Sequence, residues 1–257
     1  MKNIKQSKNN IVYKTNQLAR YYREERVKWH QFYESERVII EQLKIDQSKN
    51  ILDIGCGCGG LGLALQGQFG VESYTGVDIN PQAAEAGRVM NQESHILCGD
   101  ILDLSQNELK DKHFDIVFSL SCVDWNIRFS DMLAAAWDHV LPSGHLVSTF
   151  RLTSGEGCDD IKRSHQYINF DGLLEGELAS YVVLNVKDLL RQLSVFNPSE
   201  INAYGYWGAP SVTAVTPYDK LCFAAFSIRK RSADDIGRLR YNLKLPVAIQ
   251  DAMEAPL

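Results

Sequence analysis

The sequence has no apolar run of the roughly 20 residues that a helix needs to span a bilayer. Its beginning, "MKNIKQSKNN", is polar and basic and has no apolar segment behind it, so a secretory leader is not indicated. An excess of basic charge is also absent, since 27 Lys and Arg residues stand against 32 Asp and Glu residues. We therefore expect a cytoplasmic protein without membrane insertion, and a small-molecule partner rather than a nucleic acid.

Cysteine pairs of the kind that bind zinc are also missing. Cys56 and Cys58 form a C-x-C pair, but no second cysteine or histidine pair follows at zinc-finger spacing, and a tetrahedral zinc site needs four ligands. The six cysteines are scattered along a chain without an export signal. We therefore expect free thiols and no bound metal.

Strand-like and helical segments alternate regularly between Asn50 and Arg151. The strand-like segments are "NILDIG", "SYTGVDI", "HILCGD", "FDIVFSL" and "HLVSTF". Such alternation is typical of right-handed crossovers and a parallel sheet. Further along, "EINAYGYW" and "KLCFAAFSI" lie close together and predict an antiparallel closing pair. The sequence therefore predicts an α/β fold with a doubly wound, mainly parallel sheet and an antiparallel closing strand.

The chain divides into three predicted parts. Residues 1–45 form an N-terminal helical segment, residues 46–230 form the core with an annex at about 152–184, and residues 231–257 form a C-terminal surface appendage. Aromatic residues of the first part, among them Tyr33, have helical spacing. They either pack on the sheet or belong to a lid over the ligand of the core.

The stretch "ILDIGCGCGG" joins a buried strand to a helix. Gly55, Gly57 and Gly59 permit a tight turn with positive φ angles and a close approach of the backbone to a ligand. The same letters also fit the G-x-G-x-x-G pattern of dinucleotide-binding loops, with Asp78 at the end of the next strand. The loop by itself therefore leaves two classes of cofactor open.

Three acidic residues stand near successive strand ends: Asp53, Asp78 and Asp100. Each of them alone can be interpreted as a cap or a loop residue. Their occurrence together favours a site, because open α/β sheets bind ligands at the carboxyl ends of their strands.

In order and spacing, these motifs resemble class I S-adenosylmethionine-dependent methyltransferases, whose sheet is Rossmann-like. "LDIGCGCGG" is similar to the glycine-rich loop of that family, "GVDIN" to its second motif and "CGDI" to its third. The resemblance implies S-adenosylmethionine as cofactor and S-adenosylhomocysteine as product. It places Asp78 on the ribose diol, Ile79 on the adenine face and Asp100 at the adenine amino group. The other implied cofactor-binding residues are Asp53, Gly55, Cys56, Gly57, Gly59, Ile101 and Ser119.

The segment after the fourth strand, "SLSCVDW", lacks the N/D-P-P-Y signature with which many enzymes hold an amide or base nitrogen. A small-molecule oxygen is therefore the favoured methyl acceptor. Removal of a hydroxyl proton requires a base, and Asp124 is the nearest carboxylate, with Trp125 as an aromatic wall. A helix-capping acid and a core tryptophan are alternative interpretations of these two residues.

The annex contains His165 in "KRSHQYINF", close to Arg163 and Tyr167. These residues are candidates for acceptor binding, with His165 as a second candidate base and a basic side chain for a phosphate or another anion. A solvated loop is the alternative interpretation. The predicted substrate-binding residues are Trp125, Arg163, Tyr167 and Tyr33.

The N-terminal aromatic segment and "AYGYWGAPSVTAVTPYDKLCFAAFSI" are similar to methyltransferases from bacterial surface-polysaccharide clusters, including ones linked to O-methylation of capsular phosphoramidate groups. This similarity implies O-methylation of a small, phosphorylated or sugar-linked acceptor. An NAD-dependent oxidoreductase and a non-catalytic cofactor-binding module that regulates a partner stay open as other functions. The oligomeric state stays open too.

Overall fold

The computed structural model describes residues 23–92, 94–169 and 172–254. The strands of this part form one large sheet and one small sheet. They are β1 (Asn50–Ile54), β2 (Ser73–Asp78), β3 (His95–Cys98), β4 (Phe114–Ser119), β5 (Val140–Thr153), β6 (His165–Ile168), β7 (Glu177–Ser180), β8 (Leu184–Asn185), β9 (Glu200–Gly208), β10 (Ala214–Val215), β11 (Leu221–Arg229) and β12 (Arg240–Lys244).

The large sheet has the strand order β12-β9-β11-β5-β4-β1-β2-β3, and β8 pairs with β5. Strands β3, β2, β1, β4 and β5 are parallel to their neighbours in that series. Strand β11 is antiparallel to both β5 and β9. From β1 the chain first adds strands on one side and then returns to add β4 and β5 on the other. This confirms the predicted Rossmann-like α/β fold with an antiparallel closing strand.

The α-helices are α1 (Glu34–Glu41), α2 (Gly60–Phe69), α3 (Pro81–Met90), α4 (Ile101–Leu104), α5 (Phe129–Asp138), α6 (Val186–Val195) and α7 (Val247–Glu254). Short 3-10 helices cover Trp29–Gln31 and Val123–Trp125. In the sequence, Asn80 followed by Pro81 predicts the start of a helix, and α3 begins there. The side chain of Asn80 accepts hydrogen bonds from two backbone N–H groups of the first turn, and Pro81 occupies the first helical position.

Buried side chains cover both faces of the large sheet. Leu52 and Ile54 of β1 belong to the cluster that contains the buried residues of α5 and α6. Ile51, on the opposite face of the same strand, belongs to the cluster of α1 and α2. Burial on both faces explains why β1 reads as an apolar run rather than as an alternating pattern.

Two strands of the small antiparallel sheet, β6 and β7, lie in the annex, and β10 from a later part of the chain pairs with β6 in the order β10-β6-β7. The annex contacts the 3-10 helix that follows β4, since the N–H of Val182 donates to the carbonyl oxygen of Asp124 at 3.0 Å. The annex therefore lies beside the carboxyl ends of the parallel strands. Its predicted limits at 152 and 184, like the other predicted domain limits, stay predictions.

The C-terminal segment is more integrated than the predicted surface appendage. Strand β12 pairs in parallel with β9 and extends the large sheet by one strand. Leu245 and Ile249, which follow it, are buried in the core. The sequence "RYNLK" is mostly polar and does not predict a strand. Its place at the sheet edge comes from backbone pairing with β9 rather than from buried side chains.

Much of the predicted N-terminal helical segment, residues 1–22, lies outside the described residues. The part that follows contains the 3-10 helix Trp29–Gln31 and α1. The buried carboxylate of Glu36 joins these pieces, since it accepts hydrogen bonds from the backbone N–H of Tyr33 and from Nη2 of Arg26, both at 2.9 Å. Within the described ranges, no helix is both long enough and apolar enough to cross a membrane.

Candidate functional site

A cavity of about 660 Å³ lies at the carboxyl ends of β1, β2, β4 and β5. Residues before α1 and residues of the annex complete its walls. This volume is typical of small-molecule sites. We call the part lined by residues between 53 and 83 the loop end. The annex end is the part lined by Asp124, Trp125, Arg151, Gln166 and Tyr181.

The glycines of the loop have the predicted positive φ angles: +76° at Gly55, +56° at Gly57 and +73° at Gly59. A Cβ atom at Gly55 would collide with the Sγ atom of Cys122, so a larger residue does not fit there. Gly55 and Gly57 line the cavity, whereas Gly59 lies outside the lining and precedes α2. The turn therefore exposes backbone to the cavity without an intervening side chain.

Asp78 is held at the loop end by two backbone donors. Its Oδ2 atom accepts from the N–H of Gly57 and its Oδ1 atom from the N–H of Asn80, both at 2.8 Å. Burial raises the pKa of this carboxyl to about 6, while the two backbone N–H groups oppose the rise. Each carboxylate oxygen can accept a further hydrogen bond, so Asp78 is suited to bind two neighbouring hydroxyl groups.

Asp53 is also buried and lines the cavity. The hydroxyl of Tyr74 donates to its Oδ2 atom at 2.6 Å. Burial raises the pKa of Asp53 to about 7, against the lowering effects of Tyr74 and of the Arg26 guanidinium. Asp53 therefore changes its charge near neutral pH and is linked to β2 through Tyr74.

The cysteines of the loop are packing residues with protonated thiols. Burial raises the pKa of the Cys56 thiol well above its usual range and that of Cys58 to about 11. Cys56 lines the cavity, as predicted for a residue of the loop. Within the described part of the chain, no group of three or more His, Cys, Asp or Glu side chains is arranged to hold a metal ion.

The other predicted cofactor residues divide into two groups. Ile79 and Ile101 line the cavity, while Asp100 and Ser119 do not. The Oδ1 atom of Asp100 accepts from the N–H of Leu102 at 3.0 Å and caps α4. Ser119 is fully buried at the end of β4. The assignment of these residues to parts of a cofactor stays a prediction.

Asp124 and Trp125 line the annex end, and Arg151 joins them there. The Nε atom of Arg151 lies 3.4 Å from Oδ2 of Asp124, and both side chains are buried. Burial raises the pKa of Asp124, although Arg151 acts in the opposite direction. Within the described residues, neither Oδ1 of Asp124 nor Nε1 of Trp125 has a hydrogen-bond partner.

His165, Arg163 and Tyr167 do not line the cavity. Strand β6 instead turns Gln166 and Ile168 to it. Because side chains alternate between the two faces of a strand, His165 and Tyr167 face away. The His165 ring contacts Tyr167 and lies with Nδ1 at 2.9 Å from the carbonyl oxygen of Ile161, and Arg163 is exposed. In this structure, the predicted annex cluster is therefore not part of the cavity.

Tyr33 does line the cavity, from the N-terminal side. Several lining residues lie outside the predicted site, and they come from widely separated segments: Arg26, Phe32, Arg151, Gln166, Tyr181, Tyr206 and Ser211. One signal for Arg151 was present in the sequence, since a charged residue directly follows the apolar strand "HLVSTF". Phe32 lies in the same N-terminal aromatic segment as Tyr33. No local signal identifies the other residues as part of the cavity lining.

Comparison with known proteins gives a family match over residues 51–144, to the model described as "Methyltransferase domain". The match covers less than half of the chain. It includes the glycine loop and Asp78, which line the loop end of the cavity, and it extends through β4.

Two curated relatives are methyltransferases by name. The chain is 25% identical over 181 residues to the malonyl-[acyl-carrier protein] O-methyltransferase of Marinomonas sp. (strain MWYL1). This match covers 64% of the chain and 65% of the relative. The chain is 30% identical over 90 residues to the uncharacterized methyltransferase C70.08c of Schizosaccharomyces pombe, covering 35% of this chain and 34% of the relative. The chain thus spans from about a third to just under two thirds of the length of these relatives.

Among solved structures, the [4+2]-cyclase SpnF superimposes with a TM-score of 0.53 at 14% sequence identity, covering 76% of this chain and 74% of that one. This likeness supports the fold alone, and SpnF is by name a cyclase. The fold therefore does not specify the reaction. The sequence match and the site geometry agree on one region: residues 51–144 match a methyltransferase domain, and their glycine loop and Asp78 line the cavity.

Proposed function

We propose that the protein is an S-adenosylmethionine-dependent methyltransferase that acts on a small-molecule acceptor. The main supporting observation is that one cavity joins the two ends. The loop end has the glycine turn and the half-buried Asp78, and the annex end has aromatic walls and the buried Arg151. A cofactor and an acceptor can therefore share a single cavity, as a group transfer requires. The family match over residues 51–144 supports the same activity.

The residues at the loop end suit a nucleoside cofactor. Asp78 has two carboxylate oxygens for the ribose hydroxyls, and the turn at Gly55 and Gly57 allows the cofactor to approach the backbone. Ile79 and Ile101 offer apolar surface for an adenine ring. When bound, S-adenosylmethionine supplies an electrophilic methyl group for transfer to a nucleophile. The chain contributes binding, orientation and exclusion of water.

We propose an oxygen atom as the methyl acceptor. The absence of the N/D-P-P-Y signature from "SLSCVDW" supports this, as does the name of the Marinomonas relative, which is an O-methyltransferase. Of the two predicted bases, Asp124 lines the cavity and His165 faces away from it. Asp124 is therefore the better candidate for taking the hydroxyl proton.

The similarity of two sequence segments to methyltransferases of surface-polysaccharide clusters supports a finer proposal. It is that the acceptor is phosphorylated or sugar-linked and belongs to the biosynthesis of a bacterial surface polysaccharide. A panel of nucleotide sugars and sugar phosphates, assayed for release of S-adenosylhomocysteine, tests this proposal. Turnover confined to unrelated acceptors would contradict it.

Calorimetric titration tests the activity class. We expect S-adenosylmethionine and S-adenosylhomocysteine to bind to one site per chain, and NAD⁺ to show no saturable binding. NAD⁺ that binds more tightly than S-adenosylhomocysteine would instead support the oxidoreductase. Release of S-adenosylhomocysteine with an acceptor distinguishes an enzyme from a non-catalytic regulatory module.

A further inference from the structure

The annex end contains a buried cation in an unusual setting. Arg151 is only 5% exposed, and its guanidinium carbon lies 3.8 Å from the ring centre of Tyr181 and 4.7 Å from that of Trp125. Removing a charge from water is costly unless partners compensate for it. The partners of this guanidinium therefore show what it is arranged to do.

The donors of Arg151 are only partly used. Its Nη1 atom donates to the backbone carbonyl of Asp124 at 2.9 Å, and its Nε atom lies 3.4 Å from Oδ2 of the same residue. The Nη2 amino group makes no hydrogen bond to any other described residue. Since a guanidinium has five N–H donors, this side chain keeps donors for a ligand.

The charge of Arg151 is also only partly balanced. The separation of 3.4 Å from Asp124 is long for a charge-assisted hydrogen bond. Burial raises the pKa of Asp124, and the Arg151 guanidinium opposes this rise. The second basic residue of the cavity lining, Arg26, already has a close carboxylate partner in Glu36. Among the described residues that line the annex end, Arg151 is the cation that remains for an anionic ligand.

The two rings fix the orientation of the guanidinium. Tyr181 is nearly fully buried, and the planes of Trp125 and Tyr181 stand at 82° to each other, with Arg151 over both faces. A side chain held in this way loses little conformational freedom when a ligand binds. The arrangement therefore suits the recognition of a planar or tetrahedral oxyanion.

We propose that Arg151 is a specificity-determining residue that binds an oxyanion of the methyl acceptor, a carboxylate or a phosphate. Asp124 positions the guanidinium, and Trp125 and Tyr181 hold its plane. This inference rests on the proposed function, because only a methyltransferase has a methyl acceptor. It narrows the acceptors of that function to anionic molecules. Gln166 lines the same end of the cavity, but its amide nitrogen already donates to the hydroxyl oxygens of Ser211 and Thr213, both at 3.0 Å.

Matched small probes test the proposal on the protein saturated with S-adenosylhomocysteine. Benzoate and phenyl phosphate carry the two kinds of oxyanion on one ring, and benzamide is the neutral counterpart of benzoate. By calorimetry or ligand-observed NMR, we expect at least one anion to bind about tenfold or more tightly than benzamide, as one charge-assisted contact predicts. The stronger anion identifies the source of the oxyanion. Equal affinities of all three probes in the wild-type protein would overturn the proposal.

Variants of Arg151 test whether this residue causes the preference for the anionic probes. Arg151→Gln should remove the preference for the anion while S-adenosylhomocysteine still binds, and Arg151→Lys should retain only part of the preference. Arg229→Gln is the matched control, because Arg229 forms a half-buried ion pair with Asp235 away from the cavity. An anion preference that survives in Arg151→Gln would contradict the assignment.

These experiments distinguish failure of the proposal for Arg151 from failure of the proposed methyltransferase activity. If S-adenosylhomocysteine binds and the probes do not distinguish charge, the proposal for Arg151 fails and the methyltransferase survives. If S-adenosylhomocysteine does not bind, the methyltransferase fails, and the comparison of benzoate, phenyl phosphate and benzamide in the free protein still tests Arg151. If Arg151→Gln does not fold, Arg151→Lys and the wild-type comparison decide the question.

Discussion

The two ends of the cavity are built in different ways. At the loop end, backbone N–H groups from one turn and from the start of the next helix hold Asp78, and all lining residues between 53 and 83 belong to two consecutive strand-to-helix connections. At the annex end, Asp124, Arg151, Gln166 and Tyr181 come from four separate segments. The loop end follows from local backbone conformation, and the annex end follows from how distant segments pack.

The two ends also differ in how completely their polar groups are paired. Both oxygens of Asp78 have backbone donors, whereas Oδ1 of Asp124 and Nε1 of Trp125 have no partner among the described residues. Unpaired buried polar atoms are rare and mark places where something else is expected to bind or move. Backbone donors thus hold the carboxylate of the loop end in place, whereas the annex end contains buried polar atoms without a partner among the described residues.

The largest effect is expected from Gly57→Val at the loop end. A branched side chain resists the φ of +56° and would occupy the cavity. We expect at least about 100-fold weaker binding of S-adenosylhomocysteine by calorimetry, equivalent to about 2.7 kcal/mol. The control is Gly67→Ala, at an exposed helical glycine with nothing within 4 Å of the added Cβ. Normal binding by folded Gly57→Val would show that the turn is not the cofactor site.

At the annex end, Asp124→Asn and His165→Gln separate a residue of the cavity from one that faces away. With an acceptor in hand and saturating cofactor, we expect Asp124→Asn to lower turnover by about 100-fold or more and to leave cofactor affinity unchanged. His165→Gln should retain wild-type turnover. Turnover and its pH profile are measured for both variants. Loss of activity in His165→Gln alone would reverse the assignment of the base.

Asp78→Ala tests the carboxylate of the loop end. Loss of charge-assisted hydrogen bonds to two hydroxyls should weaken S-adenosylhomocysteine binding by about 1.5 to 3 kcal/mol, or roughly 10- to 150-fold. Titration calorimetry measures this loss. The matched control is Asp103→Ala, which removes an exposed acid that does not line the cavity. If both variants bind like the wild type, Asp78 does not hold the ribose.

The smallest expected effect is on the pH dependence of cofactor binding. The pKa of Asp78 is raised to about 6 by burial, and hydroxyl donors favour its ionised form. Affinity should be full above this pH and fall several-fold as the pH drops from about 7 to about 5. Asp78→Asn should bind more weakly and lose most of this dependence. Its persistence in Asp78→Asn would assign the titration to Asp53, whose pKa is raised to about 7.

The sequence predicts best those features of the structure that depend on residues close together in the chain. The order of strands and helices, the positive φ angles of the glycine turn and the capping of α3 by Asn80 were all predicted. Each of them depends on residues within a few positions of one another. A strand-to-helix turn needs glycine for its φ angles, and a helix start needs a side-chain acceptor, whatever the remainder of the chain does.

Tertiary structure decides which side chains point into the cavity. His165 and Gln166 are neighbours in the sequence, yet Gln166 lines the cavity and His165 does not, because the pairing of β6 with β7 and β10 sets which face of the strand meets the cavity. The placement of β12 likewise depended on the edge of β9. The amino-acid sequence by itself determined the fold and the loop end, through short-range backbone requirements. Packing alone brought Arg151 between Trp125 and Tyr181, since no spacing in the sequence relates residues that meet only after the sheets assemble.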